Sequence, residues 1–434
     1  MKKIVASVGL VALGASAVQS VSGQGLESAA PAKPWNVSAS LNAFYDSNPG
    51  TVGGGGQPAT FGYEISPAAA LAWSLEQTSI SLDFLYSLKY YDHTPPGSTD
   101  RIDQDFTFNL ALTHAFSERY RGSVRDGFVI GQEPDMLRAG SLFSTYQRVS
   151  GDNIRNTAAL SFDGELTREL GFEVGYDNNY YNYVDSGGNA FSPSLAGTLN
   201  RLENYLHLDG RWKLAPETTA ILGYQYAQTD YTGDEQIGFV ENPSLTTFTP
   251  YYSDTRNSRS HYGYVGLDHT FTTGLTGGLR VGARYIDFYN DPYNTSGDVT
   301  PYVSLSLRYT YARESYAELG AKYDRNATDV AGQFQAGVNS LTTDETSGTV
   351  YGSVNHHFTP KLVGSLTAQI QDSTFNGGGE DGQHELYYLA GLNLEYRFDS
   401  HLSANIGYNY DKLDSDIGRS FDRHRVYLGI TASY

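Results

Sequence analysis

The chain has no cysteine, and only 2 methionines and 3 tryptophans, among its 434 residues. Without cysteine there is no disulfide framework, no thiolate zinc site, no cysteine nucleophile and no cysteine to carry a lipid anchor. Beyond the first 18 positions no apolar run approaches the roughly 20 residues of a transmembrane helix, and the mean hydropathy of -0.41 excludes a helical membrane bundle. Positive charge is scarce as well. Lys and Arg number 29 against 48 Asp and Glu, a formal charge of -19, which argues against nucleic acid as a partner.

What is abundant is tyrosine, with 35, and glycine, with 47. Many tyrosines suit surfaces that are apolar on one side and wet on the other, and many glycines suit turns. Met1-Lys-Lys followed by the apolar stretch Ile4 to Val18 has the charged start and short apolar core of a secretory signal peptide, assigned to residues 1–23, with cleavage after Ala17 or Gly23. Residues 24–34 form a short extension, and residues 35–434 a single domain.

From Phe61 onward one unit recurs: a long alternating strand, a tight turn, a second long strand and a longer polar loop. The turns are related in sequence. Leu112-Thr-His-Ala-Phe-Ser, Leu267-Asp-His-Thr-Phe-Thr, Val354-Asn-His-His-Phe-Thr and Leu394-Glu-Tyr-Arg-Phe-Asp share an apolar residue, a His or Tyr, a Phe and a polar turn residue. They place tight turns near 76–79, 117–119, 167–169, 215–217, 272–274, 312–315, 359–361 and 399–401. Along the strands, Leu206, Leu208, Trp212 and Leu214 alternate with His207, Asp209, Arg211 and Lys213, as residues on opposite faces of a strand do. Tyr120 to Gly131 alternates poorly, with Asp126 among the apolar positions. With Trp35 to Asp46 and Phe421 to Tyr434 added at the ends, the pattern implies about eighteen strands, or about sixteen if the weaker ones merge into loops. The implied fold is all-β, a transmembrane antiparallel up-and-down barrel. Aromatics cluster near the tight turns (Trp73, Phe116, Trp212, Phe271) and near the loop ends (Tyr86, Tyr180, Tyr226, Tyr408), the spacing of two membrane interfaces. A β-propeller has a similar repeat length but divides it among four short strands.

The closing segment, Phe421 to Tyr434, puts Val426, Leu428, Ile430, Ala432 and Tyr434 on one face and Arg423, Arg425, Tyr427, Gly429, Thr431 and Ser433 on the other. It resembles the C-terminal assembly signal of bacterial outer-membrane barrels at Tyr427, Gly429 and Tyr434, with Ala432 departing from the usual penultimate aromatic. Tyr45-Asp46-Ser47-Asn48 is similar to the end of the first strand in β-barrel porin families of Gram-negative-type bacteria, some of which are associated with exopolysaccharide systems. The resemblance implies a bacterial outer-membrane location among lipid and lipopolysaccharide, and recognition of the last strand by the barrel-assembly machinery. Even strand number and short turns imply that both termini are periplasmic. A homo-oligomer is one open alternative.

The chemistry available to a solute lies on the wet faces. The candidate pore-lining residues are Arg121, Arg125, Arg201, Glu203, His207, Asp209, Arg211, Asp268, Arg280, Arg284, Arg308, Glu318, Glu395, Arg397, Arg423 and Arg425. Asp268 with Arg280 and Arg308 with Glu318 should meet across tight turns, bracing the wall or shaping a transverse field. No catalytic pair, cofactor motif or metal set emerges. His114, His269 and His356 recur beside turns on the apolar face, and the acidic segment Asp411 to Asp416 lacks the ligand spacing of a calcium loop. The expected activity is therefore not enzymatic. It is passive diffusion of small hydrophilic solutes, with polysaccharide export, ligand binding or a plugged structural barrel as alternatives.

Overall fold

The computed structural model describes residues 33–53, 59–94, 100–132, 151–242, 247–291, 297–331 and 341–434. The segment 1–23 expected to be a signal peptide, nearly all of the expected 24–34 extension and most of the loop from Gln132 to Asn153 lie outside these residues.

The strands are β1 (Trp35–Asp46), β2 (Thr60–Ser74), β3 (Thr78–Tyr91), β4 (Ile102–Ala115), β5 (Tyr120–Gly131), β6 (Asn153–Glu165), β7 (Leu170–Tyr183), β8 (Arg201–Ala215), β9 (Thr218–Tyr231), β10 (Gln236–Asn242) and β11 (Thr247–Tyr252). They continue with β12 (Ser258–Thr270), β13 (Leu275–Asp287), β14 (Asp298–Ala312), β15 (Ser315–Asn326), β16 (Asp344–His357), β17 (Leu362–Asn376), β18 (His384–Arg397), β19 (Leu402–Ser415) and β20 (Phe421–Ser433). A short helix, α1 (Leu195–Leu199), precedes β8. Eighteen strands form one antiparallel sheet, and β10 with β11 makes a separate hairpin in the loop between β9 and β12. The sheet closes where β1 pairs with β20, from Ser38↔Ser433 to Asp46↔Arg425. Closure leaves no edge with unpaired backbone groups, a requirement inside a bilayer.

The period-two pattern becomes the two faces of the wall. On β8, Leu206, Leu208 and Trp212 are exposed while Asp209, between them, is buried. β5 is a complete strand paired along its length with β4 and β6, despite its weaker alternation.

The turn motif has a local cause. Ser117, Thr167, Thr272, Thr359 and Asp399 each accept backbone N–H bonds from the two residues that close the turn, such as Thr272 Oγ1 from Gly274 and Leu275. A short oxygen-bearing side chain at that position replaces the lost ladder bonds. The histidines of the motif pack edge-on against its phenylalanines, His114 on Phe116, His269 on Phe271 and His356 on Phe358, at 4.6–4.7 Å between ring centres. Their Nδ1 atoms lie 2.8–2.9 Å from Thr78, Thr218 and Tyr311 hydroxyls. These rings form part of an interfacial girdle.

Candidate functional site in the barrel lumen

Every candidate pore-lining residue falls on the face opposite the exposed apolar one, because each has the parity of the inward set on its strand. Their surroundings differ with height along the barrel.

Near the tight turns the inward charges form a lattice. Arg280 donates to both carboxylate oxygens of Asp268 at 2.8 and 3.2 Å, and Arg308 to Glu318 at 2.7 Å, so both pairs expected across turns are made. Arg211 reaches in two directions, to Asp163 at 3.2 Å and to Glu173, and Arg121 lies 3.8 Å from Asp163. Lys213 pairs with Glu165 and Arg397 with Glu395, whereas Lys89 and Asp105 pair at the long-loop ends of β3 and β4. Arg125 is exposed on the same face.

At mid-height, inward aromatic rings lie over glycines directly opposite them on the next strand. His207 covers Gly175, Tyr264 covers Gly223, Tyr351 covers Gly320 and Tyr427 covers Gly407, and a Cβ on any of these glycines would overlap the ring. Glycine is needed here for close approach, and the rings lie along the wall rather than across the lumen. The His207 ring is held between Glu173 (Nε2 to Oε1, 3.6 Å) and Asp177 (Nδ1 to Oδ2, 3.7 Å). Tyr264 donates its hydroxyl to Asp209 at 2.5 Å. Around Tyr351 the mid-height lining is uncharged: Ser347, Thr349, Ser353 and Asn355 face inward on β16, and Thr367, Gln369 and Gln371 on β17.

Toward the long loops the candidates are closed into the wall. Arg201 is fully buried, bonded to Glu203 at 2.7 Å and stacked 4.1 Å from the Tyr181 ring. Arg284 bonds Ser260, Asp324 and the carbonyl of Arg325. Arg425 bonds Asp411 at 2.9 Å. Arg423 sits in the closing seam, its Nε 3.0 Å from both Asp46 oxygens and its Nη2 2.5 Å from Oδ2. The Tyr45-Asp46-Ser47-Asn48 sequence thus has a structural reason: Asp46 holds Arg423, while Asn48 bonds the Val52 and Asp422 carbonyls and completes the turn after β1.

Above these, the loops meet across the opening. Ile237 and Tyr251 of the β10–β11 hairpin pack with Ala331 and Leu341 from the loop between β15 and β16. Arg256 bonds the carbonyls of Thr198, Thr328 and Val330, and Arg419 joins Asp329 to Glu385. These contacts bypass β13 and β14 on one side and β17 on the other, so they are chords across the mouth rather than contacts along its rim. α1 is clasped to this cap by Glu235, which accepts from the Ser194 hydroxyl at 2.6 Å and from the Gly187 and Gly188 amides. Burial pushes the Glu235 carboxyl up, but the Ser194 hydroxyl and the two amides outweigh it and hold the group below its ordinary value. Sequence reasoning missed Arg256, Arg419 and Asp329 because loops carry no periodicity. Among the described residues no group of His, Asp and Glu is arranged to hold a metal ion.

Residues 247–434 match the family model described as Putative beta-barrel porin 2. No curated protein matches the chain. Among solved structures, OccK1 (OpdK) of Pseudomonas aeruginosa is similar at 13% identity over 92% of this chain and 99% of that one, with a TM-score of 0.45. OccAB4 of Acinetobacter baumannii is similar at 12% identity over 93% and 99%, with a TM-score of 0.43. A BenF-like porin of Pseudomonas fluorescens Pf-5 is similar at 13% identity over 92% and 99%, with a TM-score of 0.45. With its closed eighteen-stranded wall, apolar outside and charged within, the chain is an antiparallel up-and-down β-barrel, and its residues 247–434 carry the sequence pattern of that porin family.

Proposed function

We propose that the protein is a channel through which small hydrophilic solutes diffuse across the outer membrane. The observation that carries this reading is the inner face of the closed sheet, which carries polar residues on every strand while the outer face is predominantly apolar. A wall of that kind favours water inside. The inward ion pairs near the tight turns flank the uncharged mid-height groups of β16 and β17, and such uneven placement of charge around the wall orients polar solutes. Aromatic rings laid over Gly175, Gly223, Gly320 and Gly407 keep the middle of the lumen wide, and the loop cap narrows its mouth. The pore-lining set of this reading is strongest for Arg121, Arg125, Arg211, Asp268, Arg280 and Arg308, which lie below the cap. Arg201, Arg284 and Arg423 instead hold the wall that frames it.

In this reading the tight turns and both termini face the periplasm, the long loops face outward among lipopolysaccharide, and the terminal strand is the part the assembly machinery recognises. The cap supports a selective channel over a freely open one. Purified, folded protein in planar bilayers is expected to give stepwise conductance, with larger neutral solutes reducing the current. Folded protein that inserts and gives no steps would overturn the channel reading in favour of a plugged structural barrel.

A further inference from the structure

One carboxylate lies on the wrong side of the wall for a lone barrel in lipid. Asp126 has the outward parity of β5, between Val124 and Phe128, and is paired with Leu110 on β4 and Ala158 on β6. It lies about six residues from the tight turn, which at about 3.3 Å per residue and a tilt of about 40° is about 15 Å into an apolar band about 25 Å tall. Among the described residues the other outward acidic or basic side chains, such as Asp230, Arg259, Asp372 and Lys412, are on the long-loop ends of their strands. Asp126 therefore places an ionisable carboxyl at the depth of the hydrocarbon.

Its surroundings are polar in one direction. Asn156 on β6 donates Nδ2 to Asp126 Oδ1 at 2.9 Å. On the next two strands Asn178 donates to Asn204 at 2.9 Å, and the Tyr176 hydroxyl donates to the same oxygen at 2.7 Å. An outward strip of carboxylate and amides thus crosses β5 to β8, with the small residue Ala158 directly beside Asp126. One amide bond leaves most of the lone-pair capacity of a carboxylate unused, and acyl chains offer no donors to fill it. An intramembrane ionisable residue persists where a protein surface meets it.

We propose that this strip is the face through which a second copy of this chain docks in the membrane. The chemistry favours a copy over an unrelated partner because the strip is self-complementary: amides both donate and accept, and the amide hydrogens of Asn178 and Asn204 beyond the one bond between them can serve the Asp126 carboxylate of the other barrel. The small side chain of Ala158 beside Asp126 lets the two walls approach closely, as small residues do at other intramembrane contacts. A symmetric pair of such faces closes without leaving a reactive surface.

The absence of native cysteine makes the test direct. Asn156→Cys and Asn178→Cys, each the single thiol of the chain, are expected to cross-link to dimers under mild oxidation or a short bis-maleimide, both in outer membranes and in proteoliposomes of pure protein. Leu392→Cys, outward at mid-height on the far wall, is the control and should stay monomeric. Separately, Asp126→Leu combined with Asn156→Leu should shift the unheated folded protein from oligomer to monomer. Equal cross-linking of Asn156→Cys and Leu392→Cys, or none from the strip variants in folded protein, would overturn the proposal. So would a cross-link to a different protein in native membranes that is lost on purification. Conductance is not read in this experiment, so its outcome is independent of the channel reading.

Discussion

Replacing Asp46 with alanine tests what holds the ring closed. The seam between β1 and β20 is the place where the two ends of the barrel domain meet, and its ladder stops at Asp46↔Arg425. At that end Arg423 and Asp46 are 2% and 3% exposed and are joined by three contacts of 2.5–3.0 Å. Removing the carboxylate takes three charge-assisted contacts from a buried guanidinium, a change that costs about 3–5 kcal/mol in comparable buried pairs, whereas replacing both partners by apolar residues of similar volume is often neutral. Asp46 also accepts the Asn48 amide at 3.0 Å, so part of the cost is the loosened turn after β1. The assay is reversible urea unfolding in lipid vesicles, followed by tryptophan fluorescence and by the heat-modifiable shift in electrophoretic mobility. Asp46→Ala should lower the unfolding free energy by about 3–5 kcal/mol, and Asp46→Leu with Arg423→Met should recover most of it. A loss below about 1 kcal/mol for the single variant, the size of an exposed pair, would refute the view that this pair secures the seam.

Facing is tested by Leu208→Arg, which should cost about 2–4 kcal/mol near the bilayer midplane. Lys213→Ala, which breaks a pair with Glu165 in which both side chains are about half exposed, should change the same unfolding measurement by less than about 1 kcal/mol. Gly320→Ala places a Cβ against the Tyr351 ring and should swing it into the lumen, lowering single-channel conductance while the protein still folds; unchanged conductance would count against the flat-ring account. The clasp on α1 depends on ionised Glu235, whose folded-state value lies below the ordinary 4.5. A depressed carboxyl contributes stability that is present above its unfolded value and lost as pH falls through the folded one. Channel noise from loop opening should therefore be constant from neutral pH down to about 4.5 and increase only at lower pH, and Glu235→Gln should show the same increase at neutral pH.

The parts of this protein that could be read from its sequence are those fixed by local rules. Lipid on one side and water on the other force period-two alternation, and a tight turn fixes the register of the two strands it joins. Asp268 and Arg280, or Arg308 and Glu318, could therefore be paired in advance, being 12 and 10 residues apart. Arg423 followed the same parity rule onto the inward face, but its partner is 377 residues away, and no local pattern distinguishes a charge closed into a seam from one exposed to the lumen. The loop cap is illegible for the same reason: Ile237 and Leu341 meet through the closure of the ring, not through any repeat. Asp126 is the instructive exception. Its break in the alternation pointed to a weak strand, yet β5 is fully paired on both sides. Backbone pairing is insensitive to which side chains face outward, so a polar residue on an outward position leaves the strand intact and changes what the surface can meet. In a barrel, then, a lapse in the pattern with the turns and register intact is information about the surroundings of the wall rather than about its fold.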